Sequence, residues 1–318
     1  MMSCRGDSRT LRIELSLNYF EMLAFASSAS LRLLKNFHII HSRESDHMPL
    51  KNRLGGHTNS YHTYSLEEAL EGIAGAGYRY VELSAVPGWT EHVPLGADEK
   101  TLGKIQRMLN KLGLIAVSLS GHSDLTTKEG LAQGLQALEL CERLGIDIMN
   151  TAIGGHYSED EDEAAFMDNI GQLAAAAAER DIMLGIEIHG EITNTGKNAV
   201  PVIERIGHDN VRINYDPANA EFYGGVKAED DLPYALPLMV HAHMKDKEGE
   251  GRVWNFPAPG EGHIDFSKLL ADMEKAGYNG PLTVEIEFQG EPWPPLEEVN
   301  RAMKSAYDHL TSLGVPKD

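Results

Sequence analysis

Cysteine is nearly missing from this 318-residue chain, with Cys4 and Cys141 the only two. Two thiols make neither a disulfide framework nor a cysteine-built zinc site, so a reducing cytoplasm is the expected setting. Basic residues are also scarce, 28 Lys and Arg against 48 Asp and Glu, which leaves a formal charge of -20. An acidic surface of this kind repels phosphate backbones and anionic lipid, arguing against nucleic acid and membrane as partners. No apolar run reaches the roughly 18 residues a membrane-spanning helix needs. Hydrophobic residues nevertheless make up 42% of the chain and charged residues 24%, an ordinary globular balance able to fill a large core.

Residues 1–53 lack a sustained period and mix Arg5, Arg9, Arg12, Arg32, Lys35 and Arg43 with Asp7, Glu14, Glu21, Glu44 and Asp46. They read as an N-terminal extension, poorly ordered or not native, since translation from Met48 would omit nearly all of it. A signal peptide would need a cleaner basic start and a longer apolar stretch than Met22 to Ala26, and a transit peptide should be poor in acids.

From Leu54 to Asp318 short apolar runs alternate with amphipathic stretches, the pattern of repeated βα units and a parallel sheet. Strands are expected near Gly55 to Tyr61, Tyr80 to Leu83, Leu114 to Ser120, Ile146 to Ala152, Met183 to Ile188, Val211 to Tyr215, Val240 to Met244 and Leu282 to Glu287. The intervening helices run about Ser65 to Ala76, Asp98 to Lys111, Lys128 to Leu144, Glu159 to Arg180, Val200 to Ile206, Asp231 to Leu236, Phe266 to Ala276 and Leu296 to Leu313. Ser65 with Glu68 forms a capping-box signature, and Gly77, Gly113, Gly145 and Gly277 stand where helices should stop. Eight units over 265 residues give about 33 each, which fits a single-domain (β/α)8 TIM barrel over residues 54–318. A doubly wound open sheet is the alternative.

Each of the last four strands ends in a hard-metal ligand type: Glu187, Asp216, His243 and Glu285. The first three are 29 and 27 residues apart, one βα unit each, and the fourth follows after 42. A barrel gathers its C-terminal strand ends into one ring, so these side chains should converge. Charged residues also end strands merely because strands emerge into solvent. However, Glu187 and Glu285 sit in apolar runs, where an ionised carboxylate needs a compensating cation or donor. Three carboxylates and an imidazole favour one divalent ion, Mn²⁺, Mg²⁺ or Co²⁺, over a thiolate-bound structural zinc. Such an ion can stabilise an enediolate, with Glu187 and Glu285 as the acid/base pair that serves the two faces of a carbon.

Periodicity does not choose between His241 and His243, or between Glu285 and Glu287, because residues two apart share a side of a strand. His122, His189, Glu191, Asn219 and Lys245 follow strands three, five, six and seven and are expected to line the mouth as substrate-binding residues. Trp254 and His263 lie in the long loop after strand seven, where an aromatic can cover a sugar face. "GIAGAG" at 72–77 closes a helix instead of following a strand, so it is no dinucleotide loop. The alanine-rich "LAAAAAER" is plain helix former.

The arrangement resembles the xylose-isomerase-like TIM barrels, in particular the sugar phosphate isomerase/epimerase family with its D-tagatose 3-epimerase-like members. The resemblance covers about Leu54 to the C-terminus. It implies that Glu187, Asp216, His243 and Glu285 hold the metal, that the two glutamates are catalytic, and that Glu191 corresponds to a substrate-binding acid. It selects His243 from the H-x-H phrase and Glu285 five residues after Gly280. Asn219 stands where ketohexose epimerases carry a histidine. "GEGHI" at 260–264 is shared with the endonuclease IV group, but the extra metal ligands of that group are missing. The resemblance implies a sugar or sugar derivative as ligand and proton abstraction alpha to a carbonyl. Inosose dehydratase-like or 3-keto-sugar lyase chemistry is the alternative on the same site, and a sugar-binding protein with a degenerate site the non-enzymatic one. A homo-oligomer is left open.

Overall fold

The computed structural model describes residues 50–154 and 163–317. The expected N-terminal extension, up to residue 49, and the start of the expected fourth helix, 159–162, lie outside the described residues. Eight parallel strands run in order: β1 Leu54–His57, β2 Tyr80–Ser84, β3 Ile115–Ser120, β4 Ile148–Thr151, β5 Met183–Glu187, β6 Val211–Tyr215, β7 Met239–Met244 and β8 Leu282–Val284. Each pairs with the next, and β8 pairs back onto β1 with Gly56 opposite Val284. That closure makes a TIM barrel and excludes the open sheet.

The helices are α1 Leu66–Ala76, α2 Glu99–Leu112, α3 Lys128–Leu144, α4 Glu163–Ala178, α5 Gly196–Ile206, α6 Pro217–Phe222, α7 Ala228–Ala235, α8 Phe266–Ala276 and α9 Leu296–Ser312. Ser65 accepts from the Glu68 amide while the Glu68 carboxylate accepts from the Ser65 amide, so the expected capping box is present. Gly77 ends α1 at φ 109°, a backbone that residues with a Cβ rarely adopt.

Several boundaries differ from the sequence reading, each for a local reason. The first strand stops at His57 and turns through a 3-10 segment, Thr58–Tyr61, whose Thr58 and Ser60 hydroxyls accept from the Ser84 and Ile286 amides. The fifth helix begins four residues early because Thr195 caps it through the Asn198 amide. The short α6 was not expected at all. Asp216 caps it and Pro217 opens it, in a segment too brief to show a period. The last strand ends at Val284, so Glu285 and Glu287 lie just past it.

Strand side chains alternate as the pleat requires. Val81, Leu83, Leu119, Met149, Leu184, Ile186, Ile213, Ala242, Met244, Leu282 and Val284 are buried in the apolar core. Full burial of a large aliphatic side chain contributes about 1.5–3 kcal/mol. The alternate positions carry a buried polar network comprising Glu82, Ser118, Asn150, Asn214, His241, His243 and Thr283. Gly185 makes room for it: a Cβ there would lie 2.3 Å from Asn150 Oδ1.

Candidate metal centre

Glu187 ends β5, Asp216 follows β6 as the N-cap of α6, His243 lies within β7 and Glu285 follows β8. All four are buried, and one ligand atom from each falls within 4.8 Å of the others. His243 Nδ1 faces the three acids, at 2.8 Å from Glu187 Oε1, 3.5 Å from Glu285 Oε2 and 3.9 Å from Asp216 Oδ2.

The donor set fits a divalent cation. Asp216 Oδ1 accepts from the Asn219 amide at 2.9 Å, while Oδ2 is buried with no hydrogen-bond partner. A buried acceptor of this kind costs free energy until something positive meets it. Burial pushes the Asp216 carboxyl well above the usual carboxylate range; Lys245 opposes the rise and Glu187 adds to it. Burial also disfavours ionised Glu187 and Glu285, yet His243 with His122 holds the first well below that range, and Lys245 with His243 holds the second there. Burial would lower His243, but Glu82, Glu285 and Glu187 hold its imidazolium well above the ordinary value. The pocket is therefore built for positive charge.

Lys245 Nζ lies 2.6 Å from Glu287 Oε2, 3.2 Å from Glu285 Oε2 and 3.8 Å from Asp216 Oδ2. His122 Nε2 meets Glu187 Oε2 at 2.5 Å, and its Nδ1 meets Ser120 Oγ at 2.8 Å. Asn219 Nδ2 donates to Glu187 Oε1 at 3.3 Å. A cavity of about 410 Å³ opens above these groups and is also lined by His189, Trp254 and Glu287. His189 Nε2 is paired with the Tyr223 hydroxyl at 3.0 Å.

Two expected substrate-binding residues are not brought to this cavity. Gly190, at φ 68°, turns the chain so that Glu191 is exposed and paired with Arg252 at 2.6 Å. Asp246 gathers the 260–264 loop by accepting from the Gly260, Gly262 and Ile264 amides, leaving His263 exposed against Glu221 at 2.6 Å. The H-x-H ambiguity resolves physically. His241 points to Ser118 and Asn214, and burial pushes its pKa down to about 3.

Three contributors were missed. His57 Nδ1 lies 2.9 Å from Glu285 Oε1, and Asn59 Nδ2 donates to the same oxygen at 2.9 Å. Trp89 Nε1 and Thr90 Oγ1 both donate to Asn59 Oδ1, which orients that amide. Glu82 lies beneath His243. A carboxylate between Val81 and Leu83 was the available signal for it.

The chain belongs to the xylose isomerase-like TIM barrel family, whose description it matches over residues 70–310. It is 24% identical over 257 residues to L-ribulose 3-epimerase of Methylomonas sp., covering 74% of this chain and 85% of that one. It is 25% identical over 194 residues to inosose dehydratase of Erwinia tasmaniensis, covering 53% and 64%. Among solved structures it resembles the IOLI protein, a crystal structure with a zinc atom, at a TM-score of 0.67 and 16% identity, covering 82% and 99%. No helix among the described residues is long and apolar enough to cross a membrane.

Proposed function

We propose that this chain is a divalent-metal-dependent sugar isomerase or epimerase of the cytoplasm, working by proton abstraction alpha to a carbonyl through an enediolate. The observation that carries this reading is the placement of Glu187 and Glu285. Both contribute to the four-residue set, both line the cavity, and they approach it from β5 and β8. A divalent cation held by Glu187, Asp216, His243 and Glu285 supplies the positive charge that stabilises an enediolate. One glutamate removes the proton from a substrate carbon and the other returns one to the opposite face. His122 and Asn219 hold Glu187, while His57 and Asn59 hold Glu285. Lys245 stands ready to donate to a substrate oxygen, and Trp254 lines the same cavity as an apolar contact for a sugar.

The substrate is best read as uncharged. Among the described residues that line the cavity, Asp124, Glu187, Glu285 and Glu287 stand against one ammonium, that of Lys245, and no arginine. Phosphate or carboxylate groups would meet repulsion there. A dehydratase or lyase is the second reading, favoured by Lys245 and His189 on the same cavity as proton donors for a leaving hydroxyl.

The test is hydrogen exchange from deuterated water on a panel of neutral ketoses and inososes with Mn²⁺, Mg²⁺ or Co²⁺. Label should enter alpha to the carbonyl, and Glu187→Gln or Glu285→Gln should cut its rate by about 10²–10⁴. Conserved product mass marks isomerisation, whereas loss of water marks the second reading. Near-normal exchange in both variants defeats the mechanism. Sugar binding with no label points to a binding protein.

A further inference from the structure

Glu82 has no exposed surface and sits inside the barrel one layer below the four-residue set. Its Oε2 lies 3.1 Å from His243 Nε2 and accepts from Thr283 Oγ1 at 2.6 Å, while Oε1 accepts from Asn150 Nδ2 at 2.7 Å. His57 stacks on the face of the same imidazole at a centroid distance of 5.2 Å and an interplanar angle of 24°. His57, Glu82 and His243 could by distance alone form a second ion site. The Glu82 oxygens are already engaged by three protein donors, so a second cation has no vacant carboxylate to meet there.

We infer that Glu82 is the positioning residue of the metal centre: it takes the Nε2 proton of His243 as a hydrogen bond, commits the ring to that tautomer, and so presents the Nδ1 lone pair to the cation. A ligating histidine whose other nitrogen donates to a carboxylate is a stronger and better-aimed donor. The inference rests on the cation-binding reading of the site and is independent of which sugar reaction follows. Glu82→Gln isolates the charge. The introduced amide keeps the size, and Asn150 can turn its Oδ1, which has no partner, toward the new N–H.

The test is Co²⁺ titration of the purified full chain, read by calorimetry and by the visible spectrum. Glu82→Gln should weaken Co²⁺ binding about 10–100-fold and shift the Co²⁺ bands, with little change in the melting temperature of the metal-free protein. Wild-type affinity and spectrum in a folded Glu82→Gln variant would overturn the inference, as would two Co²⁺ ions bound per chain. If that variant does not fold, ¹⁵N spectra of the histidine side chains in Zn²⁺-loaded wild type decide. A protonated Nε2 and metal-bonded Nδ1 on His243 are expected, and the opposite tautomer refutes it. If wild type binds no divalent ion, the reading of the site itself fails.

Discussion

Asp216→Asn is the sharpest perturbation of the proposed centre, because the two oxygens of Asp216 do different work. Oδ1 caps α6, a task asparagine performs equally well, so the fold should persist. Oδ2 is the buried acceptor without a partner, and the variant loses its charge. At an effective dielectric near 20, a pair of unit charges about 4 Å apart is worth about 4 kcal/mol, or roughly 10³-fold in affinity. Part of that is consumed by ionising a carboxyl whose pKa burial has raised. Below that pKa the wild-type advantage should shrink about tenfold per pH unit, since one unit corresponds to 1.36 kcal/mol. The sign follows for stability too. Above the usual aspartate range the folded metal-free protein keeps a proton that the unfolded chain has released, so its stability falls as pH rises through the folded pKa. Bound metal removes this penalty, and its stabilising effect should grow with pH. Mn²⁺ calorimetry in buffers of different ionisation enthalpy counts the protons: below the raised pKa, wild type should release more than Asp216→Asn. Equal proton release, or equal affinity across pH, refutes the argument.

Lys245→Met removes an ammonium 3.2 Å and 3.8 Å from oxygens of two proposed ligands. A unit charge facing a divalent ion at about 5 Å costs about 1.7 kcal/mol even at the dielectric of water, so Mn²⁺ should bind at least tenfold tighter. Unchanged or weaker binding in a titration would show that Lys245 does not compete for the site. Asp246→Ala strips the acceptor from the amides of Lys247, Gly260, Gly262 and Ile264. At about 1–3 kcal/mol for each buried donor left unmet, partly recovered by water, a loss of about 3 kcal/mol is expected. Calorimetry should show the melting temperature fall by about 6–12 °C, and an unshifted transition would remove Asp246 as the organiser of that loop.

What could be read from the sequence follows from what a linear pattern encodes. The eight βα units were legible because helix-like stretches alternate with apolar runs, and in four of them a stop glycine, Gly77, Gly113, Gly145 or Gly277, marks the junction. The four candidate ligands stood out because two of their spacings equal one unit. A period reports neither which side of a turn a residue occupies nor which of two like residues on one strand faces inward. Glu191 was misplaced by the left-handed turn at Gly190, and His263 by a loop gathered on a carboxylate seventeen residues earlier in the chain. His57, Asn59 and Glu82 belong to β1, β2 and the turn between them, with no spacing to tie them to the last four strands. Their role exists only once the barrel is formed.

Closure of the barrel is therefore part of the chemistry. Because β1 pairs with β8, His57 and Asn59 reach Glu285 across 228 and 226 positions of sequence. In an open sheet of the same strand order those two strands would be opposite edges, and Glu285 would lose both contacts on Oε1. With Oε1 engaged, Oε2 is the oxygen left facing His243 and Lys245. The outward apolar side chains and the helices packed on them supply the burial that holds the barrel shut. This leaves the interior free to carry Glu82, Asn150, His241 and Thr283, polar residues that a core relying on its interior for hydrophobic stability could not accommodate. The site is thus a consequence of the ring: the four proposed ligands come from the ends of four successive strands, and side chains that closure brings from elsewhere in the ring meet Glu187, His243 and Glu285.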